Sequence, residues 1–138
     1  MNTIKTSISD SVMLFTFSDF NEDVVASFRM NPADVKLAKR CNEISDYFAN
    51  IRDGISNIST LQDAINLNDE IEGKVCYLLG YDARSSLFSQ ISATSIMADG
   101  NMFVTTVIKV IADHVGYEIE KRKKSMLAAV EKYTAKYQ

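Results

Sequence analysis

His114 is the only imidazole in the sequence, and it follows Asp113 in the stretch "IADHV". A general base needs a nucleophile or a substrate group within hydrogen-bond reach. The nucleophiles on offer are Ser85 and Ser86, in "SS", and the two thiols, Cys41 and Cys76. No G-x-S-x-G elbow and no recognisable Cys/His signature surrounds any of them. The expected role of His114 is therefore a helix-surface or interface residue. Cys41 and Cys76 fall in apolar-periodic stretches, and the chain has no C-x-x-C. Such cysteines behave as small hydrophobes, which predicts reduced, buried thiols and a reducing cytoplasm. Asp63, Asp69, Glu70 and Glu72 form an acidic run. On a helix, Asp69 and Glu72 stand on one side, as a metal pair would. Neither an E-x-x-H nor a calcium-loop spacing accompanies them, so a solvated face is expected. The glycines are dispersed and show no phosphate-loop spacing. Read this way, the chain holds no catalytic residue, no cofactor and no metal.

Charge and apolar pattern point to contacts instead. Residues 121–138 carry six cations and one carboxylate, a net charge of +5, whereas residues 1–120 carry nine cations and seventeen carboxylates, a net charge of −8. An acidic body with a basic tail is suited to self-association or to a partner of mixed charge. The run Lys121–Lys124 winds around a helix, because each residue advances about 100°. It therefore makes no flat basic face, which disfavours DNA-groove and membrane-plane binding. No aromatic residues interleave with it to stack on bases. Beyond the run, Ile119, Met126, Val130, Tyr133 and Tyr137 recur in steps of 7, 4, 3 and 4, with Leu127 beside them. That is the look of a helix–helix seam. Ala128 and Ala129 permit close approach, and the tyrosines supply large amphipathic contact area. Met126, Leu127, Val130, Tyr133 and Tyr137 are the candidate protein-binding residues. Packing of the same residues against the first helix of the chain is the alternative.

The elements that position these residues follow from local pattern. With 138 residues, 46% hydrophobic and 24% charged, the chain suits one folded domain rather than a disordered or linker-rich one. "VMLFTF" at 12–17 and "VVASFRM" at 24–30 read as strands around the turn residues "SDFNED", a β-hairpin. "NPAD" at 31–34 predicts a helix start, with Asn31 as cap and Pro32 at the first position. Apolar spacing then carries a helix over about 32–52, ending at Asp53-Gly54. Ser59 with Gln62 offers a capping box for a helix over about 60–79, stopped by Gly80. A short helical turn is expected near 84–91. "DGN" at 99–101 opens the last helix, over 101–137, with Gly116 as an interior weak point. The fold class is mostly α, an N-terminal β-hairpin followed by three main helices, the last one long. One domain is expected: a hairpin region over 1–30, a helical core over 31–115 and a basic amphipathic helix end over 116–138. The N-terminus lacks the apolar run of a signal peptide. "MFVTTVIKVIADHV" is broken by Lys109 and Asp113 and is too short to span a bilayer.

The order of features resembles the small tail assembly chaperones of siphophages that infect Gram-positive bacteria. The likeness lies in "SFRMNPADVKLAKRCNEISDYF" (27–48) and "LLGYDARSSLFSQISATSIMADGNMFVTTVIKVIADHV" (78–115). Asn31-Pro32-Ala33-Asp34-Val35 loosely matches the family's helix start, and Gly80 and Phe88 its glycine-containing connection. Ser89 stands where the family's second glycine would be. The resemblance implies a non-enzymatic protein of the bacterial host's cytoplasm, helical and self-associating as a homo-oligomer. It implies that the protein coats the tape measure protein, keeps it soluble and helps recruit the tail tube protein. A frameshifted longer form is common in that family. Other readings are a structural phage component, such as a head–tail connector or tail terminator, or a small helical nucleic-acid-binding protein.

Overall fold

The computed structural model describes residues 2–5 and 12–136. Strands β1 (Met13–Ser18) and β2 (Val24–Met30) pair antiparallel, with Phe15 opposite Phe28 and Phe17 opposite Ala26. Helices α1 (Val35–Ala49), α2 (Ile51–Ser56), α3 (Leu61–Leu79), α4 (Arg84–Leu87) and α5 (Phe103–Lys136) follow. The architecture is the expected one: mostly helical, with an N-terminal hairpin and a long last helix. No described helix is long and apolar enough to cross a membrane.

The hairpin closes through Asp19, whose carboxylate accepts from the amides of Asn21 and Asp23 at 2.9 and 3.0 Å. Strand alternation sends Phe15, Phe17, Ala26, Phe28 and Met30 inward. Phe15 stacks on Phe28 at 5.0 Å, and Phe17 meets Phe103 of α5 edge-on at 5.3 Å. A two-stranded ribbon is marginal alone, and the Phe17–Phe103 contact fastens it to α5. Arg29 of β2 adds a second fastening. Its amide donates to the Tyr81 hydroxyl at 2.8 Å, and its guanidinium lies 4.1 Å over the Tyr81 ring.

α1 starts three residues later than the sequence predicts. Asn31 is occupied in the preceding turn, where its side-chain oxygen accepts from the Ala33 amide at 3.0 Å. Asp34 therefore caps the helix, accepting from the Lys36 amide at 2.9 Å. The helix ends at Ala49 rather than at Asp53-Gly54. At Asn50 the side-chain amide donates back to the Asp46 carbonyl at 2.9 Å, a local bond that competes with helix continuation. Helical backbone resumes as α2 and runs through Gly54 to Ser56. Gly54 is not a stop, and a Cβ there would meet the Leu67 side chain at an ordinary contact distance of 3.4 Å.

The capping box of α3 is displaced by one residue from the expected Ser59/Gln62 pair. Thr60 accepts from the Asp63 amide, and Asp63 accepts from the amides of Ser59 and Thr60. Gly80 ends α3 with a left-handed φ of 82°. Arg40 of α1 donates to the Leu78 carbonyl at 2.8 Å, tying the two helices. Ile71, Val75, Leu78 and Leu79 make α3 the centre of the core, packed with Leu37, Leu87, Val104, Val107 and Ile111. Each such side chain contributes about 1.5–3 kcal/mol when fully removed from water.

Glu72 is buried rather than on the solvated face expected of the acidic run. Its carboxylate accepts from the Asn68 side chain at 2.9 Å and from the Ala93 amide at 3.2 Å. Asn68 in turn accepts from the amide and hydroxyl of Thr94 at 3.1 and 2.9 Å. This cluster pins the loop after α4 to α3. The pinned loop then caps α5, because the carbonyls of Ala93 and Ser95 accept from the amides of Val104 and Phe103 at 2.9 and 2.8 Å. α5 therefore begins at Phe103, two residues past the expected start, and "DGN" forms a turn in which Asp99 accepts from the Asn101 amide at 2.9 Å.

Two outcomes follow. Glu72→Ala strands the Ala93 amide in the interior and should lower stability by about 1–3 kcal/mol in urea unfolding. The Ser59 amide and hydroxyl, with Thr60, hold the Asp63 carboxyl below its usual range. A depressed folded value means the stabilisation is complete above the unfolded carboxylate pKa, about 3.9, and is lost as pH falls through the lower folded value. The melting midpoint, followed by circular dichroism, should fall below that pH, and fall less in Asp63→Asn.

Candidate protein-binding arm

α5 lies antiparallel to α1. Met102 and the first turns of α5, through Val104 and Ile108, lie beside Phe48 at the C-terminal end of α1 and Ile51 at the start of α2. Farther along, Glu118, Ile119 and Arg122 reach Pro32–Ala38 at the N-terminal end. Arg122 donates to the Ala33 carbonyl. From there the helix continues as an arm, and residues 119–135 are all exposed.

The apolar side of the arm is the extension of the side that packs the core. Val104, Ile108 and Ile111 repeat eleven residues later as Val115, Ile119 and Arg122, and again as Met126, Val130 and Tyr133. A spacing of eleven residues in three turns stays nearly in phase with a straight α-helix. Val104, Ile111 and Val115 are buried; Ile119, Met126, Val130 and Tyr133 are 50%, 62%, 60% and 68% exposed. Leu127 is 54% exposed beside them. The structure thus places four of the five predicted binding residues on the arm, away from the core, and not against α1; Tyr137 lies outside the described residues. Arg122 interrupts the stripe where the helix leaves the body.

The residues with chemical potential are spread over different elements. His114 donates from Nδ1 to the Val110 carbonyl at 2.8 Å, and its ring meets Phe15 edge-on at 4.7 Å. Cys41 and Cys76 are free thiols, each half-buried. Burial pushes the Cys41 thiol pKa up, with Arg40 opposing. Ser86 donates to the Ala83 carbonyl at the N-terminal end of α4 at 3.2 Å, and Ser85 is exposed. Among the described residues, no three His, Cys, Asp or Glu side chains gather as a metal set would require.

One feature escapes sequence reasoning. Around Asn50, where α1 gives way to α2, these helices and α3 bound a cleft of about 470 Å³. Tyr47, Ile51, Ile58 and Leu67 line its apolar part, and Asp46, Asp63 and Glu70 its acidic part. Burial, followed by the Glu70 carboxylate nearby, raises the Tyr47 phenol pKa to about 12. The Tyr47 hydroxyl is inaccessible to water and makes no hydrogen bond of normal geometry with the described residues. The available signal was compositional: residues 42–72 hold seven carboxylates and the single cation Arg52.

Gly116 sits just before the arm, and a Cβ there would meet nothing within 4 Å. Gly116→Ala should therefore raise stability by up to about 1 kcal/mol, through helix propensity alone, measured as a shift in the urea midpoint. Compared with known proteins, the chain matches no family model, no curated protein and no solved structure.

Proposed function

We propose that the protein is a non-enzymatic binding protein that shields a helical client with its arm. In its specific form, it is a tail assembly chaperone that keeps the tape measure protein soluble in the host cytoplasm and helps recruit the tail tube protein. The observation that carries this reading is the exposed stripe Ile119, Met126, Leu127 and Val130, continuous with the buried face of the same helix. An amphipathic helix that the body leaves uncovered presents anchors at helical spacing to a partner helix. Methionine at its centre adapts to irregular partner surfaces. The dispersal of His114, Cys41 and Cys76 into separate local contacts also favours binding over covalent or acid–base chemistry.

Coexpression with a candidate tape measure protein tests this directly. The client should accumulate in the soluble fraction with the wild-type chain. Met126→Asp/Val130→Asp should return most of it to the pellet, while the circular dichroism of the variant stays that of the wild type. A client equally soluble with the variant, or insoluble with both, would overturn the proposal.

A further inference from the structure

We propose that the cleft between α1–α2 and α3 receives the cationic arm of a second copy, so that copies join head to tail. The inference rests on the arm being an interaction element, but it uses a different side of the helix. At about 100° per residue, Lys121, Lys124 and Lys132 stand opposite Met126 and Val130. The apolar stripe thus stays available while the cationic side is engaged.

The cleft complements that side in charge and shape. Asp46 and Glu70 line it together with Asp63, which already serves as the reciprocal cap of α3. No Lys or Arg is among its lining residues; Lys74 sits 5.0 Å over the Tyr47 ring. Tyr47, Ile51, Ile58 and Leu67 supply apolar surface for the lysine stems, which pack on such surfaces while the ammonium reaches a carboxylate.

Geometry selects the donor of the arm. α5 leaves the body at Arg122 beside Ala33, at the N-terminal end of α1. The cleft opens at Asp46–Asn50, at the other end, and the arm points away from it. About a dozen residues of α1, roughly 18 Å, separate the two. A chain therefore cannot fill its own cleft. Two arms cannot readily pair with each other either, since each carries a net charge of +5 over residues 121–138. A contact between unlike surfaces leaves one arm and one cleft unused at the ends, so it propagates or closes into a ring.

Sedimentation of the full chain tests this with two variants that retain the apolar stripe. Lys121→Gln/Lys124→Gln/Lys132→Gln removes the cations, and Asp46→Asn/Glu70→Gln neutralises the cleft. The wild type should gain mass with concentration and lose that gain as salt rises from about 0.1 M to about 1 M, where screening shortens from about 10 Å to about 3 Å. Each variant alone should remain monomeric. Mixed, they should form a complex of one copy each and nothing larger, because only one functional arm and one functional cleft remain. A wild type that stays monomeric overturns the proposal, as does an arm variant that still assembles or a mixture that does not combine. If the cleft variant fails to fold, the arm variant decides alone, since its substitutions are all on exposed helix. No client is present, so the outcome is independent of whether the stripe holds one.

Discussion

An α-helix rises about 1.5 Å per residue, so the 34 residues of α5 extend about 50 Å while the 15 of α1 extend about 22 Å. Antiparallel packing of the two can cover only the first half of α5. The hairpin and α3 cover the same half, through Phe17 on Phe103 and through the core around Val107 and Ile111. Nothing among the described elements has the length to follow the helix farther. That mismatch leaves apolar side chains in water on a helix that is otherwise built like its buried part.

The body is arranged to hold the first half of α5 firmly. Its N-terminal amides are capped by loop carbonyls rather than by a side chain of its own. The loop is in turn held by Glu72 and Asn68 on the central helix. Burying a carboxylate is costly unless it is fully hydrogen-bonded, and here it accepts from both a side chain and a backbone amide. The start of the arm is thus anchored through a chain of contacts reaching α3. At the exit, Arg122 takes over from apolar contact and fixes the helix to the carbonyl of Ala33. Firm anchorage at both places lets the exposed length project from a defined point.

Features that depend on neighbouring residues were legible in the sequence. The hairpin followed from alternating aromatics around an Asp/Asn-rich turn, and the end of α3 from Gly80. Long apolar periodicity located α1, α3 and α5, and the stripe at 126–133 lay where its spacing indicated. Competition between local bonds was harder to read. Asn31 could cap a helix or close a turn, and the backbone of Ala33 won it for the turn. The break after α1 came from the Asn50 side chain rather than from Gly54, through which helical backbone continues. The role of Glu72 was invisible, since its partner amide lies twenty-one residues away in a loop without periodicity. The cleft was hidden for the same reason: its lining comes from α1, α2 and α3 together. Burial of the stripe on the chain itself, the alternative to partner binding, depended on relative helix lengths.

The eleven-residue spacing along α5 governs how its length can change. Inserting or deleting eleven residues in the arm turns its tip by only about 20°, so the oily side keeps its bearing. Removing five would swing the tip by about 140° and present lysines where methionine and valine had been. Reach and orientation are therefore coupled, and only quantised changes of length preserve the second while altering the first.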